Sequence, residues 1–238
     1  MDQFYPTIRV IKPNKQPCKW TLLDKFTDGS CSDIYNVISD TNTSGDKYIL
    51  KYLLDDDNIG ISDNIDEWIS YITREVTNHD TCFDLGIAPE IVEAWLCKTG
   101  GVIIMKKLDI TLTDMLKLKE YKTFESHQYI VHEILKLIHT MQQNNIWHDD
   151  THGNNFMIQT KPGNRLETCK FYVIDFGASK CQKPTDSYYE YISLITSLIY
   201  DMPVDHVRRI FEPLRLLPTK KLNHVLSSRD RLDKILNH

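Results

Sequence analysis

Apolar residues follow two rhythms along this chain, and the rhythm changes near its middle. In the first half, Trp20–Phe26, Ser32–Ser39 and Lys47–Leu53 are short stretches rich in Ile, Leu, Tyr and Val. Asp28-Gly29-Ser30 and Asn42-Thr43-Ser44-Gly45-Asp46 separate them as turns. Connections that short predict an antiparallel meander in which consecutive strands are neighbours. One helical segment follows. Ile65, Trp68, Ile69, Ile72, Val76 and Phe83 recur at three- and four-residue steps, which predicts a helix from about Asn64 to Asp84. Gly86 and Pro89 stop it. Two more strands are predicted near Ile91–Leu96 and Gly101–Lys106, with Lys98-Thr99-Gly100 between them.

From Thr111 onward the pattern is helical. Phe124–Asn144 is the clearest case, with Ile130, Ile134, Leu135, Ile138 and Met141 on one face. Asn154–Gln159 and Lys170–Ile174 predict a hairpin around Lys161-Pro162-Gly163-Asn164, and the chain from Asp186 is helical again. A strand-rich segment with one helix, followed by a helix-rich segment with a small hairpin, predicts an α+β fold in two lobes.

Composition narrows the class. At 238 residues the chain makes one large domain or two small lobes, and 41% hydrophobic with 26% charged residues excludes global disorder and a pure coiled coil. A net charge of −5 argues against a strongly basic nucleic-acid binder. Cys18, Cys31, Cys82, Cys97, Cys169 and Cys181 form no C-x-x-C pair, so neither a zinc site nor a disulfide scaffold is expected. Scattered reduced thiols fit an intracellular protein. Met1-Asp2-Gln3-Phe4-Tyr5-Pro6 lacks the basic start and apolar stretch of a signal peptide. The most apolar segment, Tyr191–Tyr200, is too short to span a bilayer. The expectation is a cytoplasmic protein without a membrane or nucleic-acid partner.

The chemistry concentrates in Ile146-Trp147-His148-Asp149-Asp150-Thr151-His152-Gly153-Asn154-Asn155, which contains H-x-D-x-x-x-x-N as His148, Asp150 and Asn155. Asp175 lies 25 positions after Asp150, in an apolar strand that ends Asp175-Phe176-Gly177. Phosphoryl transfer needs these parts. One carboxylate takes or orients a hydroxyl proton, and a second carboxylate with an amide holds the magnesium that bridges the phosphates. The two motifs in this order, one after a helix and one after a strand, resemble the protein-kinase-like superfamily over most of the chain.

The resemblance implies a bilobal protein-kinase-like fold, with an antiparallel sheet and one helix in the N-lobe (1–107) and a reduced, mainly helical C-lobe (108–238). It implies ATP and Mg2+ as cofactors. Asp150 is then the catalytic aspartate, Asn155 and Asp175 the magnesium ligands, and His148 the histidine that braces the loop. Tyr48-Ile49-Leu50-Lys51 resembles the family's V-A-I-K, which gives Lys51 to the α- and β-phosphates. Lys51 ends a β-like run, where a side chain touches little core. Its acidic partner on the helix is Glu75, which leaves a family-like distance to Gly86-Ile87-Ala88-Pro89, or else Glu67 near the helix start, where dipole reasons alone explain an acid. Thr27, Gly29 and Ser32 fall where the family has three phosphate-loop glycines, so only the middle glycine is kept. Met105 falls at the gatekeeper position and Lys106-Lys107-Leu108 at the hinge; the plain alternative is a strand end with solvated lysines.

Two departures stand out. His152 occupies the place of a lysine that touches the γ-phosphate in many serine/threonine kinases, as in small-molecule and lipopolysaccharide kinases of this fold. Only Ala178–Thr185 separates the D-F-G sequence from the next helix, without A-P-E, so no activation-loop phosphorylation is expected. In size and in this truncation the chain is similar to RIO-like kinases, to the small kinase of the tRNA-threonylcarbamoylation complex, and to serine/threonine kinases of large DNA viruses. That last group would place it in host cytoplasm or virion. The expected activity is transfer from Mg-ATP to a protein serine or threonine hydroxyl. The alternatives are a small-molecule or saccharide kinase and a nucleotide-binding pseudokinase. A partner protein completing the reduced C-lobe is a further expectation.

Overall fold

The β-branched and aromatic runs of the first half pair into one sheet. In a computed structural model describing residues 8–11, 19–28, 32–40, 45–54, 65–97, 100–160, 165–181, 184 and 188–236, six antiparallel strands are β1 (Ile8–Ile11), β2 (Trp20–Asp28), β3 (Ser32–Ser39), β4 (Tyr48–Leu54), β5 (Ile91–Cys97) and β6 (Gly100–Lys106). Their order is β1-β5-β6-β4-β3-β2, so β4 is interior and β2 lies at an edge. β1 is not anticipated by the pattern. A run of four residues has no period to read, and its partner β5 is far along the chain.

Alternation along β4 sends Leu50 to one face and Leu53, with Ile49, to the other. On the second face lies helix α1 (Ile65–Asp84), which packs Ile72 and Val76 against Leu53, Ile91, Ala94, Ile103 and Met105. Gly101 on β6 permits this docking: a Cβ there would come within 1.8 Å of Ile72 Cδ1. Two residues past the end of the helix, Gly86 takes the left-handed region (φ 76°). Gly86 N–H donates to Phe83 O (2.8 Å) and Ile87 N–H to Cys82 O (2.9 Å), which satisfies the last carbonyls. Across the sheet, Trp20 Nε1 on β2 donates to Glu93 Oε2 on β5 at 3.2 Å. Three strands separate β2 from β5, roughly 19 Å in a flat sheet, so the sheet must curl for this bond to form.

The chain divides into two compact units, Met1–Lys107 and Leu108–His238. In the second unit, β7 (Ile110–Thr111), β8 (Phe156–Gln159) and β9 (Lys170–Val173) form a three-stranded antiparallel sheet in that order. Helix α2 (Leu112–Lys117) starts under the Thr111 hydroxyl, which accepts Asp114 N–H. Helix α3 (Phe124–Gln143) starts likewise under Thr123, which accepts Ser126 N–H at 3.1 Å. Ile130, Ile134, Ile138 and Met141 are buried along its inner face, as their spacing requires.

The helical tail is three helices: α4 (Tyr189–Asp201), α5 (Val204–Leu214) and α6 (Thr219–Leu236). Pro203 caps the start of α5 and Pro218 directly precedes α6, positions where a missing N–H costs least. Asp186, read as near the start of α4, lies outside the described residues. Among the described residues no helix is long and apolar enough to cross a membrane.

Candidate functional site

In the first unit, Lys51 is the fourth of seven residues of β4, opposite Ile34 of β3 and Ile103 of β6. It is therefore mid-strand in an interior strand and only 6% exposed. This corrects the reading of a lysine at a strand end with little core around it. Its Nζ meets Glu75 Oε1 at 2.7 Å, and Glu75, on α1, is itself buried. Glu67 is also on α1, but its side chain lies outside the described part. Such a pair is held by the attraction of the two charges, and removing either partner leaves the other's charge poorly solvated.

Thr27 lies on β2 opposite Ile34, and Ser32, buried, opens β3. Gly29 falls outside the described residues. Met105 is buried in the core against α1. The two lysines after it are not simply solvated. Lys106 Nζ is 3.4 Å from Asp46. Lys107 Nζ donates to Asn36 Oδ1 at 2.7 Å and lies 4.4 Å from the centre of the Phe26 ring.

The second unit gathers His148, Asp150, His152, Asn155 and Asp175. His148 is fully buried, and its Nε2–H donates to Ile174 O at 2.8 Å. Burial pushes its pKa down against the hydrogen bond and nearby carboxylates, so the ring is a neutral brace. Asn155 N–H donates to His152 O at 3.0 Å, and Asn155 O accepts Ile174 N–H at 2.9 Å. The residue before Asp175 is thereby tied to the loop twice. Asp149 and Asp175 both take left-handed backbone angles (φ 64° and 63°), uncommon for residues with a side chain and frequent at functional turns. The short turn Gly153–Asn155 leads into β8. Gly153 is required there by space, since a Cβ would fall 2.5 Å from Thr113 Oγ1 and 3.1 Å from Ser197 Oγ.

Asp150 and Asn155 interlock. The Asn155 amide nitrogen donates to Asp150 O (2.9 Å) and to Asp150 Oδ2 (3.0 Å). Both amide protons are thus committed, which leaves the Asn155 carbonyl oxygen as the atom to meet a cation. His152 Nε2 lies 3.4 Å from the same Asp150 Oδ2, so Oδ1 is left for a substrate group. His152 Nδ1 accepts Asn154 N–H (3.2 Å), which puts the ring proton on the side of Asp150. The contact with His152 holds the Asp150 carboxyl below the usual carboxylate range, and the same contact raises His152. Asp150 is therefore an ionised acceptor throughout the neutral range.

Glu190 is a residue that sequence reasoning missed. It is buried in the first turn of α4, where an acid reads as no more than a complement to the helix dipole. Its Oε1 accepts His148 N–H (2.6 Å), its Oε2 accepts Gln142 Nε2 (2.7 Å), and its main-chain oxygen accepts the Thr151 hydroxyl (2.6 Å). Burial raises its pKa while these donors oppose the rise. Glu190 thus anchors the loop that carries Asp150 to α4.

The donor set suits magnesium. Asp175 and Asn155 offer hard oxygen atoms, and magnesium in phosphoryl transfer is held by one or two carboxylates together with substrate phosphates. Among the described residues no cluster of three or more His, Cys, Asp or Glu could hold a metal by itself. A groove of about 390 Å³ between α3 and α5, floored by Ile210 and Leu135, contains none of the site residues.

No protein-family model matches the chain, and no curated protein does. Among solved structures, WaaP in complex with acyl carrier protein is similar with a TM-score of 0.56 at 14% identity, over 91% of this chain and 90% of that one. The BubR1 kinase domain is similar with a TM-score of 0.53 at 17% identity, over 78% of this chain and 54% of that one. At such identities the likeness is one of fold: the chain has a protein-kinase-like α+β fold.

Proposed function

We propose that the chain is an ATP-dependent phosphotransferase that moves the γ-phosphate of Mg-ATP to a hydroxyl, with protein serine or threonine as the acceptor class. The observation that carries this reading is the interlock of Asp150 with Asn155. Asp150 takes both amide protons, one on its main-chain oxygen and one on Oδ2, which frees an amide oxygen for a cation and a carboxylate oxygen for a hydroxyl. When bound, Mg-ATP supplies the phosphoryl group and the charge that offsets its oxygens. Asp150 Oδ1 orients the acceptor hydroxyl and takes its proton. Asn155 Oδ1 and the Asp175 carboxylate hold the cation. Lys51 Nζ, kept in place by Glu75, binds the α- and β-phosphates. His152 holds Asp150 Oδ2 from the side, which keeps Oδ1 turned to the acceptor. Little covalent work is left to the protein in such a transfer, so positioning and charge carry the rate.

A second reading is a small-molecule or saccharide acceptor. It is favoured by the brevity of the segment after Asp175, because α4 begins at Tyr189, 14 positions later, and little chain is left to seat a peptide. Incubating the pure protein with labelled ATP and magnesium separates the readings. Label on generic protein acceptors supports the first, and label only on small-molecule acceptors the second. Nucleotide binding without transfer to any acceptor or to water would leave a pseudokinase.

A further inference from the structure

The kinase loop signature carries arginine between its histidine and its aspartate. This chain carries Asp149 there, and Asp149 is engaged: its carboxylate accepts an ion-paired hydrogen bond from Lys180 Nζ. The residues beside the pair are joined as well. Trp147 N–H donates to Lys180 O (2.9 Å) and Lys180 N–H to Trp147 O (2.7 Å), an antiparallel bridge. Between Asp175 and Lys180 the chain is a closed turn, with the buried Ser179 donating to Phe176 O through both its N–H and its hydroxyl. Asp175 is therefore fastened on both sides. Ile174 binds Asn155 and His148 before it, and Lys180 binds Trp147 and Asp149 after it. The left-handed backbone of Asp149 (φ 64°) costs little for aspartate, and that residue type supplies the charge as well.

Resting on the reading of Asp175 as a magnesium ligand, we propose that Asp149 and Lys180 are positioning residues: a permanently charged latch that holds Asp175 in register with Asn155 without phosphorylation. Where a segment is ordered by phosphorylation, an arginine meets a new phosphate. Here the loop supplies the acid and the segment the base, so both charges are encoded. A phosphate added to the segment would confront the Asp149 carboxylate rather than find a partner. The modification that opens the latch is one that neutralises Lys180, such as acetylation.

Three proteins test this: wild type, Lys180→Gln and Lys180→Arg. Two quantities are read on each: amide hydrogen exchange over Gly177–Lys180 in the free protein, and the magnesium concentration needed for half-maximal binding of ATP. An ion pair with one exposed partner predicts a modest effect, about three- to five-fold faster exchange and a similar rise in the magnesium requirement for Lys180→Gln. Lys180→Arg should match wild type in both. Unchanged exchange in Lys180→Gln overturns the latch. Faster exchange with an unchanged magnesium requirement overturns the positioning of Asp175. If wild type shows no magnesium-dependent ATP binding, the kinase reading falls and the positioning role with it, while the exchange data still decide whether the latch exists.

Discussion

Lys51 and Glu75 lie 2.7 Å apart, both buried, so neither charge has water to turn to when its partner goes. Lys51→Ala should therefore cost stability as well as turnover, about 3–5 kcal/mol if Glu75 stays charged without Lys51. Lys51→Met combined with Glu75→Leu removes both charges and keeps the volume. This double variant should regain most of the stability and none of the ATP-dependent turnover. Urea denaturation and a turnover assay on wild type and the two variants check this. A Lys51→Ala protein as stable as wild type, or a double variant that still turns over, would contradict it. Glu190 gives a second test at this scale. Glu190→Ala strips the acceptor from His148 N–H and from Gln142 Nε2. The His148 donor is buried and the Gln142 donor half-buried, which predicts a loss of about 1–3 kcal/mol. Turnover, measured where the variant is still folded, should fall more than ATP binding does. Equal losses in the two would mean that Glu190 supports the fold without setting the loop.

At the scale of elements, α3 and α5 meet through His127 and His206, whose Nδ1 atoms are 2.8 Å apart. His127 is fully buried and its Nε2 has no hydrogen-bond partner. Burial, with His206 and Lys122 adding to it, pushes the His127 pKa down to about 4. The unfolded chain protonates this residue near its ordinary 6.5. Between these values the unfolded state binds more protons, so the stability contribution is full above the upper value and is lost on acidification toward the lower. The slope is about 1.4 kcal/mol per pH unit within that window. Denaturation of wild type and His127→Leu at several pH values across it should show the steeper acid loss in wild type. Parallel curves would show that His127 does not couple α3–α5 packing to pH. Periodicity made α1 and α3 legible, because an apolar stripe at three- and four-residue steps has few other readings. It could not place β1, nor show that β4 is an interior strand. Neither depends on local pattern; both depend on which distant strands pair.

For the whole molecule, the α+β architecture was readable from the change in rhythm along the chain, and the resemblance added the kinase-like fold. The loop from His148 to Asn155 stood out because rare residue types recur there at fixed spacing. What spacing could not show is how those side chains use one another: Asn155 committing both amide protons to Asp150, Glu190 gripping the loop from α4, Asp149 turned to Lys180. Each is a contact between residues whose types are common at the surface and acquire meaning only from burial or from a partner. The glycine-poor segment around Gly29 lies outside the described residues. The central claim is that Asp150 serves the acceptor hydroxyl while Asp175 serves the metal, and one paired titration tests it. Magnesium-dependent ATP binding and turnover are measured side by side for wild type, Asp150→Asn and Asp175→Asn. Asp150→Asn should bind Mg-ATP nearly as wild type does and lose about 10²–10⁴-fold in turnover. Asp175→Asn should lose magnesium-dependent binding itself, because magnesium favours a charged oxygen. An Asp150→Asn protein that loses ATP binding, beside an Asp175→Asn protein that keeps both binding and turnover, would contradict the account.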